Sequence, residues 1–426
     1  MANFKALFVK AYWTFAVLGM IWAVFIGALI SPTVQRHALY AHKINTNFWH
    51  NVSNPEEFGF ANVYLENENE LFTAGAVGET VEELKGTLGE KLMRMDAESK
   101  VVINFHGNAG HLAQGHRPST YRSISGIPKT HLLTCDYRGY GLSSLQNAPH
   151  IPTERGLITD AISLISYVTH DLQHPISQTV LLGQSLGTAV TAAAALYYTD
   201  PTSSLLPPDL VRPDTTGMPS TQSRSSETFA GIVLVAPFRT LPLLLQHYRI
   251  SGLLPVLKPL QAYPKIANFL ASRIVDTWAT LPRLTALVAA DRSRETGFHI
   301  ALLHARNDQD IAYYEAELLF EPLQRVMLGS ASSASKGQAG DAADDENDVS
   351  AEEVRRSIHG GDRVKRGAFA YKKVEDSRGE RVVELEVTRY GGHNEVVGWS
   401  QVGLAVRRAF EKSARKRSLK PGFDVE

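Results

Sequence analysis

The segment with the clearest chemical pattern is Gly183-Gln184-Ser185-Leu186-Gly187, which fits Gly-x-Ser-x-Gly. It lies between an apolar run, 179–183, and an alanine-rich segment, 188–198. A serine on a sharp turn from strand to helix has a strained backbone, and glycines on either side prevent collisions with neighbouring elements. The pattern predicts that Ser185 is a nucleophile on such a turn.

A serine hydroxyl is a poor nucleophile near neutral pH, so it needs a base, and the base needs a carboxylate that holds its tautomer. His393 follows the last apolar run in Gly-Gly-His-Asn, and Asp308 follows an earlier run in the segment 305–311. Both fall at predicted strand ends, in the chain order serine, acid, histidine. We predict that Asp308 and His393 complete a catalytic triad, with Asp310 as the alternative acid.

A third segment, Phe105-His106-Gly107-Asn108-Ala109-Gly110, ends an early apolar run with small residues. Such a loop can turn a backbone N–H toward the nucleophile. We predict an oxyanion hole made of the backbone N–H groups of Asn108 and Leu186, the residue after the serine. His106 and the segment 136–143 are expected to be structural.

Elements that could position these residues follow from the alternation of apolar runs with helical patterns. Near-continuous apolar runs are what a parallel sheet buried on both faces requires, and helical spacing between two of them indicates βαβ units. We predict an α/β fold with a mostly parallel, doubly wound sheet that places the motifs beyond the carboxyl ends of its strands. The runs are 101–105, 131–137, 179–183, 231–235 and 299–304, and a last run, 382–390, alternates more between apolar and polar residues.

The N-terminus predicts a membrane anchor over residues 1–36. Residues 11–30 carry no charge, and as a helix they would span about 30 Å, the thickness of a bilayer's hydrocarbon core. Lys5 and Lys10 precede this stretch and favour a cytoplasmic N-terminus with the remaining chain on the other side. A cleavable signal peptide is the alternative, although its apolar region is usually about 7–15 residues long.

The remaining chain is predicted to hold a linker with the first strands, 37–98, and a catalytic domain, 99–426. Strands are expected at 61–65 and 70–73. The stretch 203–228 is dense in Pro, Ser, Thr and Gly, and 329–381 carries blocks of like charge, so both are expected to be flexible inserts outside the sheet. The apolar segment of about 238–290 predicts a helical cap with an apolar underside.

Composition excludes several classes of protein. The 43 Lys and Arg residues oppose 44 Asp and Glu residues, so no excess of positive charge favours nucleic-acid binding. The single cysteine, Cys135, excludes an intrachain disulfide and a cysteine-rich zinc site. No metal or cofactor is expected. The basic segment 407–420 is expected to be the solvated end of a last helix, with a membrane role as the alternative.

The motifs FHGNAG, DYRGYGLS, GQSLG, LLHARND and GGHNE, in this order between about 100 and 410, resemble those of the α/β-hydrolase superfamily. More narrowly, the chain resembles membrane-anchored hydrolases of monoacylglycerols and lysophospholipids such as lysophosphatidylserine. The resemblance implies catalytic Ser185, Asp308 and His393, and a single-pass protein whose catalytic domain lies in the lumen of the endoplasmic reticulum. Two features depart from the family: Ile311-Ala312 replaces the usual Val-Pro or Ile-Pro, and the 85-residue interval between acid and histidine is long.

The sequence therefore predicts an enzyme that hydrolyses a lipid ester through an acyl-enzyme. Acyl transfer or removal of a thioester-linked acyl group would use the same triad and is the nearest alternative. A non-catalytic scaffold that recruits a partner through the charged insert is the alternative of a different class.

Overall fold

The computed structural model describes residues 2–43, 88–141, 143, 145, 150–208, 210, 228–247, 249–250, 254–255, 262–336, 364–366 and 369–419. The strands expected at 61–65 and 70–73 lie outside these residues. So do the central parts of both predicted inserts, 211–227 and 337–363.

The elements alternate along the chain as predicted. The helices are α1 (Ala2–Ala28), α2 (Pro32–Leu39), α3 (Leu88–Met95), α4 (Arg117–Ser125), α5 (Glu154–Ser166), α6 (Leu186–Thr199), α7 (Leu241–His247), α8 (Pro264–Ser272), α9 (Thr280–Ala289), α10 (Asp291–Thr296), α11 (Tyr314–Lys336) and α12 (Ser400–Leu419). The strands are β1 (Lys100–Phe105), β2 (Thr130–Thr134), β3 (Thr179–Gln184), β4 (Gly231–Val235), β5 (Arg249–Ile250), β6 (Leu254–Pro255), β7 (Phe298–Ala305), β8 (Val364–Arg366), β9 (Phe369–Glu375) and β10 (Arg381–Thr388).

Within the described residues, eight strands form one sheet in the order β2-β1-β3-β4-β7-β10-β9-β8. The first six of these run parallel to one another, whereas β9 and β8 are antiparallel to their neighbours. Every residue of β3, β4 and β7 is buried, as expected for central strands covered on both faces. The predicted fold class, a mostly parallel α/β sheet with helices, is confirmed.

Two apolar clusters lie on opposite faces of the sheet. The larger contains residues of α5, α6, α9 and α11, and the smaller contains residues of α4 and α12. The alanines of α6 at 189 and 192–195 are fully buried. Because alanine is small, this helix packs close to the sheet and fixes where its first turn, at residue 186, meets the end of β3.

The carboxyl ends of the parallel strands lie in register. Phe105 pairs with Gly183, Gln184 pairs with Val235, and Thr388 pairs with Ala305. The loops that follow β1, β3, β7 and β10 therefore emerge at one edge of the sheet, where ligands of open α/β sheets bind.

The expectation that 329–381 lies outside the sheet is wrong at its C-terminal end, where β8 and β9 add two antiparallel strands beside β10. At its N-terminal end, helix α11 continues to Lys336, so residues 329–336 are helical and lie outside the sheet. Strand β9, the second from the edge, has exposed and buried side chains in alternation, as at Lys373 and Val374, so it tolerates the charges that concealed it in the sequence.

The N-terminal helix is longer than the uncharged stretch 11–30, because it begins at Ala2 and ends at Ala28. Its segment Lys5–Ala28 is long and apolar enough to cross a membrane. In the predicted cap, α7, α8 and the β5–β6 ribbon precede α9. Helix α9 instead packs against α6 and α11, and its Leu284 and Leu287 belong to the main core cluster.

Two cations of the basic segment in α12, Arg408 and Lys412, bond to strands β7 and β10 or to the residue before β10. Arg408 pairs with Glu384 and Glu386 of β10, and Lys412 donates to the carbonyl oxygens of Phe298 and Glu380. These groups stabilise the docking of the last helix onto β7 and β10.

Candidate active site

Ser185 occupies a strained turn between β3 and α6. Its φ of 52° and ψ of −119° lie outside the regions that residues with a Cβ normally adopt. The neighbouring glycines explain how the turn fits: a Cβ on Gly187 would overlap the carbonyl oxygen of Phe105, and a Cβ on Gly183 would overlap that of Gly187. The strain and the close packing project the serine side chain beyond the end of the sheet.

Ser185, His393 and Asp308 form a continuous chain of hydrogen bonds. The distance from His393 Nε2 to Ser185 Oγ is 3.0 Å, and that from His393 Nδ1 to Asp308 Oδ2 is 2.8 Å. Asp308 is fully buried, whereas His393 keeps 13% of its side chain exposed. The structure brings together the three side chains that the sequence predicts as a triad.

Asp308 rather than Asp310 contacts the histidine. Its Oδ1 accepts hydrogen bonds from the backbone N–H groups of Asp310 and Ile311, at 2.9 and 2.8 Å. Burial of Asp308 opposes its ionisation, but hydrogen bonds from His304 and His393 outweigh it and hold the pKa of the carboxyl well below its usual range. Asp308 is therefore a fixed anion that can orient His393.

His304 is a second histidine on this carboxylate, and the sequence did not single it out. Its Nε2 lies 3.1 Å from Asp308 Oδ2 and 3.0 Å from the carbonyl oxygen of Ile311. A carbonyl can only accept, so Nε2 carries the proton. The signal in the sequence was its place at the end of β7, four residues before the acid.

The loop that carries His393 is held by the loop that carries Asp308. Asn307 Oδ1 accepts a hydrogen bond from the backbone N–H of Gly392, at 2.9 Å. Gly391 and Gly392 have φ values of 119° and 54°, a region that favours glycine. Gln184, next to the nucleophile, donates to the carbonyl oxygen of His393, at 3.2 Å. The histidine is thereby fixed from both sides.

Asn108 and Leu186, the predicted oxyanion residues, line the same cavity as Ser185. Leu186 begins α6, and the first N–H groups of a helix lack an intrahelical acceptor. Asn108 is anchored through its side chain: its Nδ2 donates to the carbonyl oxygen of Leu39 at 2.6 Å, and its Oδ1 accepts from the Tyr140 hydroxyl at 2.9 Å.

Arg117 orients the peptide groups of the loop at 107–110, a role that no motif in the sequence indicates. Its Nη2 donates to the carbonyl oxygens of Gly107, Asn108 and Ala109, at 3.0, 3.3 and 2.7 Å. In a trans peptide the N–H points opposite to the C=O. The bond to the Gly107 oxygen therefore turns the Asn108 N–H away from the guanidinium.

His106 is buried beneath this loop and bonds to its first carbonyl oxygen, that of Gly107. It is 1% exposed, its Nδ1 lies 2.7 Å from the Gly107 carbonyl oxygen, and its ring centroid lies 4.3 Å from that of Tyr137. Burial and the nearby Arg117 lower its pKa well below the usual value, so it is neutral near pH 7. Its position outside the chain from Ser185 to Asp308 fits the structural role expected for it.

A cavity of about 950 Å³ opens beside Ser185 and His393. Its wall includes apolar side chains from α1, α2, α7 and α8 and from the loops that follow β4 and β7, namely Trp22, Phe25, Leu29, Leu39, Phe238, Leu241, Leu244, Leu245, Leu270, Ile274 and Ile311. Two polar atoms of the same wall, Gln114 Oε1 and His116 Nε2, are buried without a hydrogen-bond partner among the described residues. Burial and the nearby Arg117 lower the pKa of His116 to about 4.

The arrangement can perform nucleophilic chemistry on a ligand that has an apolar part and a polar part. Among the described residues, no group of three or more His, Cys, Asp or Glu side chains is placed to hold a metal ion. The side chains of α1 in the wall were not foreseen, because an apolar anchor in a sequence carries no indication that it lines a site.

No protein-family model matches the chain. Lysophosphatidylserine lipase ABHD12 of Bos taurus is 27% identical over 186 residues, which cover 41% of this chain and 44% of the relative. Uncharacterized protein YfhR of Salmonella typhi is 40% identical over 88 residues, which cover 20% of this chain and 27% of the relative. The chain thus spans less than half of the length of these curated relatives.

Among solved structures, an alpha-beta hydrolase from Vibrio vulnificus is 15% identical, with 75% of this chain and 73% of that chain covered and a TM-score of 0.38. The fold itself is read from the strand order and from the serine on the turn between β3 and α6. On these grounds the chain has the α/β-hydrolase fold, and over part of its length it is similar to a lipase.

Proposed function

We propose that this protein is a membrane-anchored serine hydrolase that cleaves the carboxylic ester of single-chain lipids, either monoacylglycerols or lysophospholipids. The observation that carries the proposal is the hydrogen-bonded chain from Ser185 through His393 to Asp308, at distances of 3.0 and 2.8 Å, beside a largely apolar cavity. Serine, base and orienting acid at these distances are the parts that acyl transfer to a hydroxyl requires.

Acylation follows from this geometry. Ser185 Oγ attacks the ester carbonyl carbon while His393 Nε2 takes the hydroxyl proton, and the carboxylate of Asp308 stabilises the imidazolium that forms. The N–H groups of Asn108 and Leu186 hold the negative charge that develops on the carbonyl oxygen. When the carbon–oxygen bond of the leaving alcohol breaks, His393 returns the proton to that oxygen, and the acyl group stays on the serine.

Deacylation repeats the sequence with water. His393 removes a proton from a water molecule, whose oxygen attacks the acyl carbonyl, and the proton then passes to Ser185 Oγ as the fatty acid leaves. The same two N–H groups stabilise the second oxyanion. The pKa of His393 supports its role as the base: burial opposes its protonation, but the Asp308 carboxylate outweighs this effect and raises the pKa above the usual value.

The walls of the cavity support a lipid substrate. Burial of each methylene of an acyl chain contributes about 0.8 kcal/mol, so an apolar wall favours long chains. The unpartnered His116 Nε2 and Gln114 Oε1 offer hydrogen-bonding positions to the hydroxyl groups of a glycerol head group. The similarity to lysophosphatidylserine lipase points to the same class of substrate.

Helix α1 supports the proposed single-pass anchor. We propose a cytoplasmic N-terminus and a catalytic domain in the lumen of the endoplasmic reticulum, on the basis of Lys5 and Lys10 and of the family resemblance. The sequence Asn51-Val52-Ser53 provides a test, because glycosylation of Asn51 requires a lumenal position. Expressed in mammalian cells, the wild type should lose mass on deglycosylation and Asn51→Gln should not. A catalytic domain reached by a protease from the cytoplasmic side would contradict this orientation.

Purified full-length protein in detergent micelles tests the reaction. Wild type and Ser185→Ala are compared on a monoacylglycerol, a lysophospholipid and an acyl thioester, with release of fatty acid as the measurement. The proposal predicts that wild type hydrolyses one or both oxygen esters and that Ser185→Ala does not. Hydrolysis of the thioester alone would favour the depalmitoylating alternative, and the absence of any hydrolysis would contradict the proposal.

A further inference from the structure

The end of α1 is packed into the cap and lines the cavity. Ile26 is 6% exposed and forms an apolar cluster with Ala267 of α8, against which Trp22, Leu29, Leu245 and Leu270 also pack. Trp22, Phe25 and Leu29 are part of the wall of the cavity that contains Ser185. Residues 22, 25, 26 and 29 repeat at helical spacing and so share one face of α1.

Helix α2 holds this end of α1 in place through directional bonds. Gln35 Nε2 donates to the carbonyl oxygens of Leu29 and Arg273, both at 2.7 Å, so one side chain joins α1 to the segment after α8. Asp276, in the same segment, pairs with Arg36 at 3.1 Å and accepts from the Tyr40 hydroxyl at 2.8 Å. The position of α1 is thus fixed relative to the catalytic domain.

Helix α1 is largely exposed before Trp22 and packed against the cap after it. Its 27 residues span about 40 Å, roughly 10 Å more than the hydrocarbon core of a bilayer. The turns before Trp22 are largely exposed and apolar, with Phe15 and Met20 at 73% and 65%. The candidate membrane span, Lys5–Ala28, includes the last two turns, so the part of α1 that contacts α8 lies at the end of the apolar stretch.

We propose that the last two turns of α1 form part of the acyl-binding site, so that this helix selects the acyl chain in addition to anchoring the protein. The proposal rests on the function proposed above. Trp22, Phe25 and Leu29 provide an apolar surface along which the chain lies after the ester reaches Ser185. On α8, Ala267 and Leu270 pack in the cluster with α1, and Ile266 and Phe269 of the same helix are 49% and 47% exposed, an apolar surface that lipid could cover.

The test separates selection from anchoring. The double variant Trp22→Ala/Phe25→Ala is compared with Ile21→Ala/Val24→Ala, a pair in the same turns that lies outside the cavity and is 60% and 68% exposed. Both are assayed in detergent micelles, where delivery from a bilayer plays no part. The measurement is the ratio of kcat/KM for a hexadecanoyl ester of glycerol to that for the butanoyl ester.

Loss of contact with two methylenes of the chain lowers affinity about tenfold. We expect Trp22→Ala/Phe25→Ala to lower the ratio about tenfold and the control pair to leave it within about twofold. A second variant, Leu29→Trp, adds bulk to the wall and should also lower the ratio, which keeps the test informative if the first variant folds poorly.

Equal ratios in wild type and in both cavity variants would overturn this inference alone. A wild type that hydrolyses neither these two esters nor a lysophospholipid would overturn the proposed function and this inference with it. The two failures are therefore distinguishable in the same experiment.

Discussion

The two sides of the cavity are built in different ways. At the nucleophile, Ser185, His393 and Asp308 are joined by directional bonds of 2.8–3.0 Å, and glycines let the backbones approach closely. In the wall formed by α1 and α8, the two helices contact each other through a small set of apolar side chains, and neighbouring apolar side chains are exposed. Directional bonds fix a reaction geometry, whereas apolar contacts accept many chain conformations. Because the two walls are built differently, we expect that the proposed chemistry and the proposed acyl selection can be altered separately.

Of the substitutions that test the two walls separately, Asp308→Asn should have the largest effect on kcat. The amide cannot act as an anion toward His393 Nδ1, so kcat for a short ester should fall by about 10⁴-fold. Asp310→Asn is the matched control and should lower kcat by less than about tenfold, because His393 Nδ1 bonds to Asp308, to which Asp310 donates its backbone N–H. Equal losses in both variants would contradict the assignment of Asp308.

Arg117→Lys should have the next largest effect. A lysine is a single point donor and cannot reproduce the bonds of the guanidinium to three successive carbonyl oxygens. Misplacement of one oxyanion donor is expected to lower kcat by roughly 10²-fold. Arg122→Lys, on the exposed side of α4, should change kcat little. Thermal unfolding of both variants checks that the loss reflects the loop and not the fold, and an unaltered kcat in Arg117→Lys would contradict the role of this residue.

The pH dependence of kcat/KM for a short ester tests the nucleophile side alone. The reaction needs neutral His393, so the rate falls as the pH drops below its pKa, by about tenfold per pH unit. Because Asp308 raises this pKa, we expect the acid limb above about pH 6.5 in wild type and at lower pH in Asp308→Asn. His116, whose pKa is lowered to about 4, should not contribute a limb in this range. An acid limb at the same pH in both proteins would contradict the coupling.

Tyr40→Phe should have the smallest effect of these substitutions. It tests whether the bond between Tyr40 and Asp276, which joins the segment after α1 to the cap, adds stability. The variant loses the buried hydrogen bond to Asp276. It keeps the aromatic ring, whose centroid lies 6.4 Å from that of Trp278. We expect a loss of about 1–2 kcal/mol in the free energy of unfolding, seen as a shift of about 2 °C in Tm. Tyr263→Phe, with a side chain that is 61% exposed, should leave Tm unchanged. Equal shifts in both variants would show that the bond from α2 to the cap adds no stability.

The chemistry-bearing motifs were predictable from the sequence because short patterns at strand ends determine them. The Gly-x-Ser-x-Gly turn required its glycines for close packing with the end of β1. The acid followed the strongly apolar strand β7, and the histidine followed β10, in which apolar residues alternate with charged ones. The fold class followed from the same apolar strands.

The parts that the sequence did not reveal depend on contacts between distant segments. Arg117 bonds to backbone carbonyl oxygens of the loop at 107–110. Every residue has such an oxygen, so the residue types of the loop do not indicate the contact. His304 shares an oxygen with His393 only because β7 and β10 are neighbours. The edge strands β8 and β9 were missed because charge dominates their sequence. The contact of α1 with α8 joins segments more than 200 residues apart, which composition cannot indicate.

The most direct test of the central claim is the site of covalent labelling by a fluorophosphonate, located by mass spectrometry of the full-length protein. We expect one adduct, on Ser185, that is lost in Ser185→Ala and forms much more slowly in His393→Ala. Ser418→Ala, in the exposed last turn of α12, should be labelled as wild type is. An adduct on another residue, or equal labelling of wild type and Ser185→Ala, would show that Ser185 is not the nucleophile.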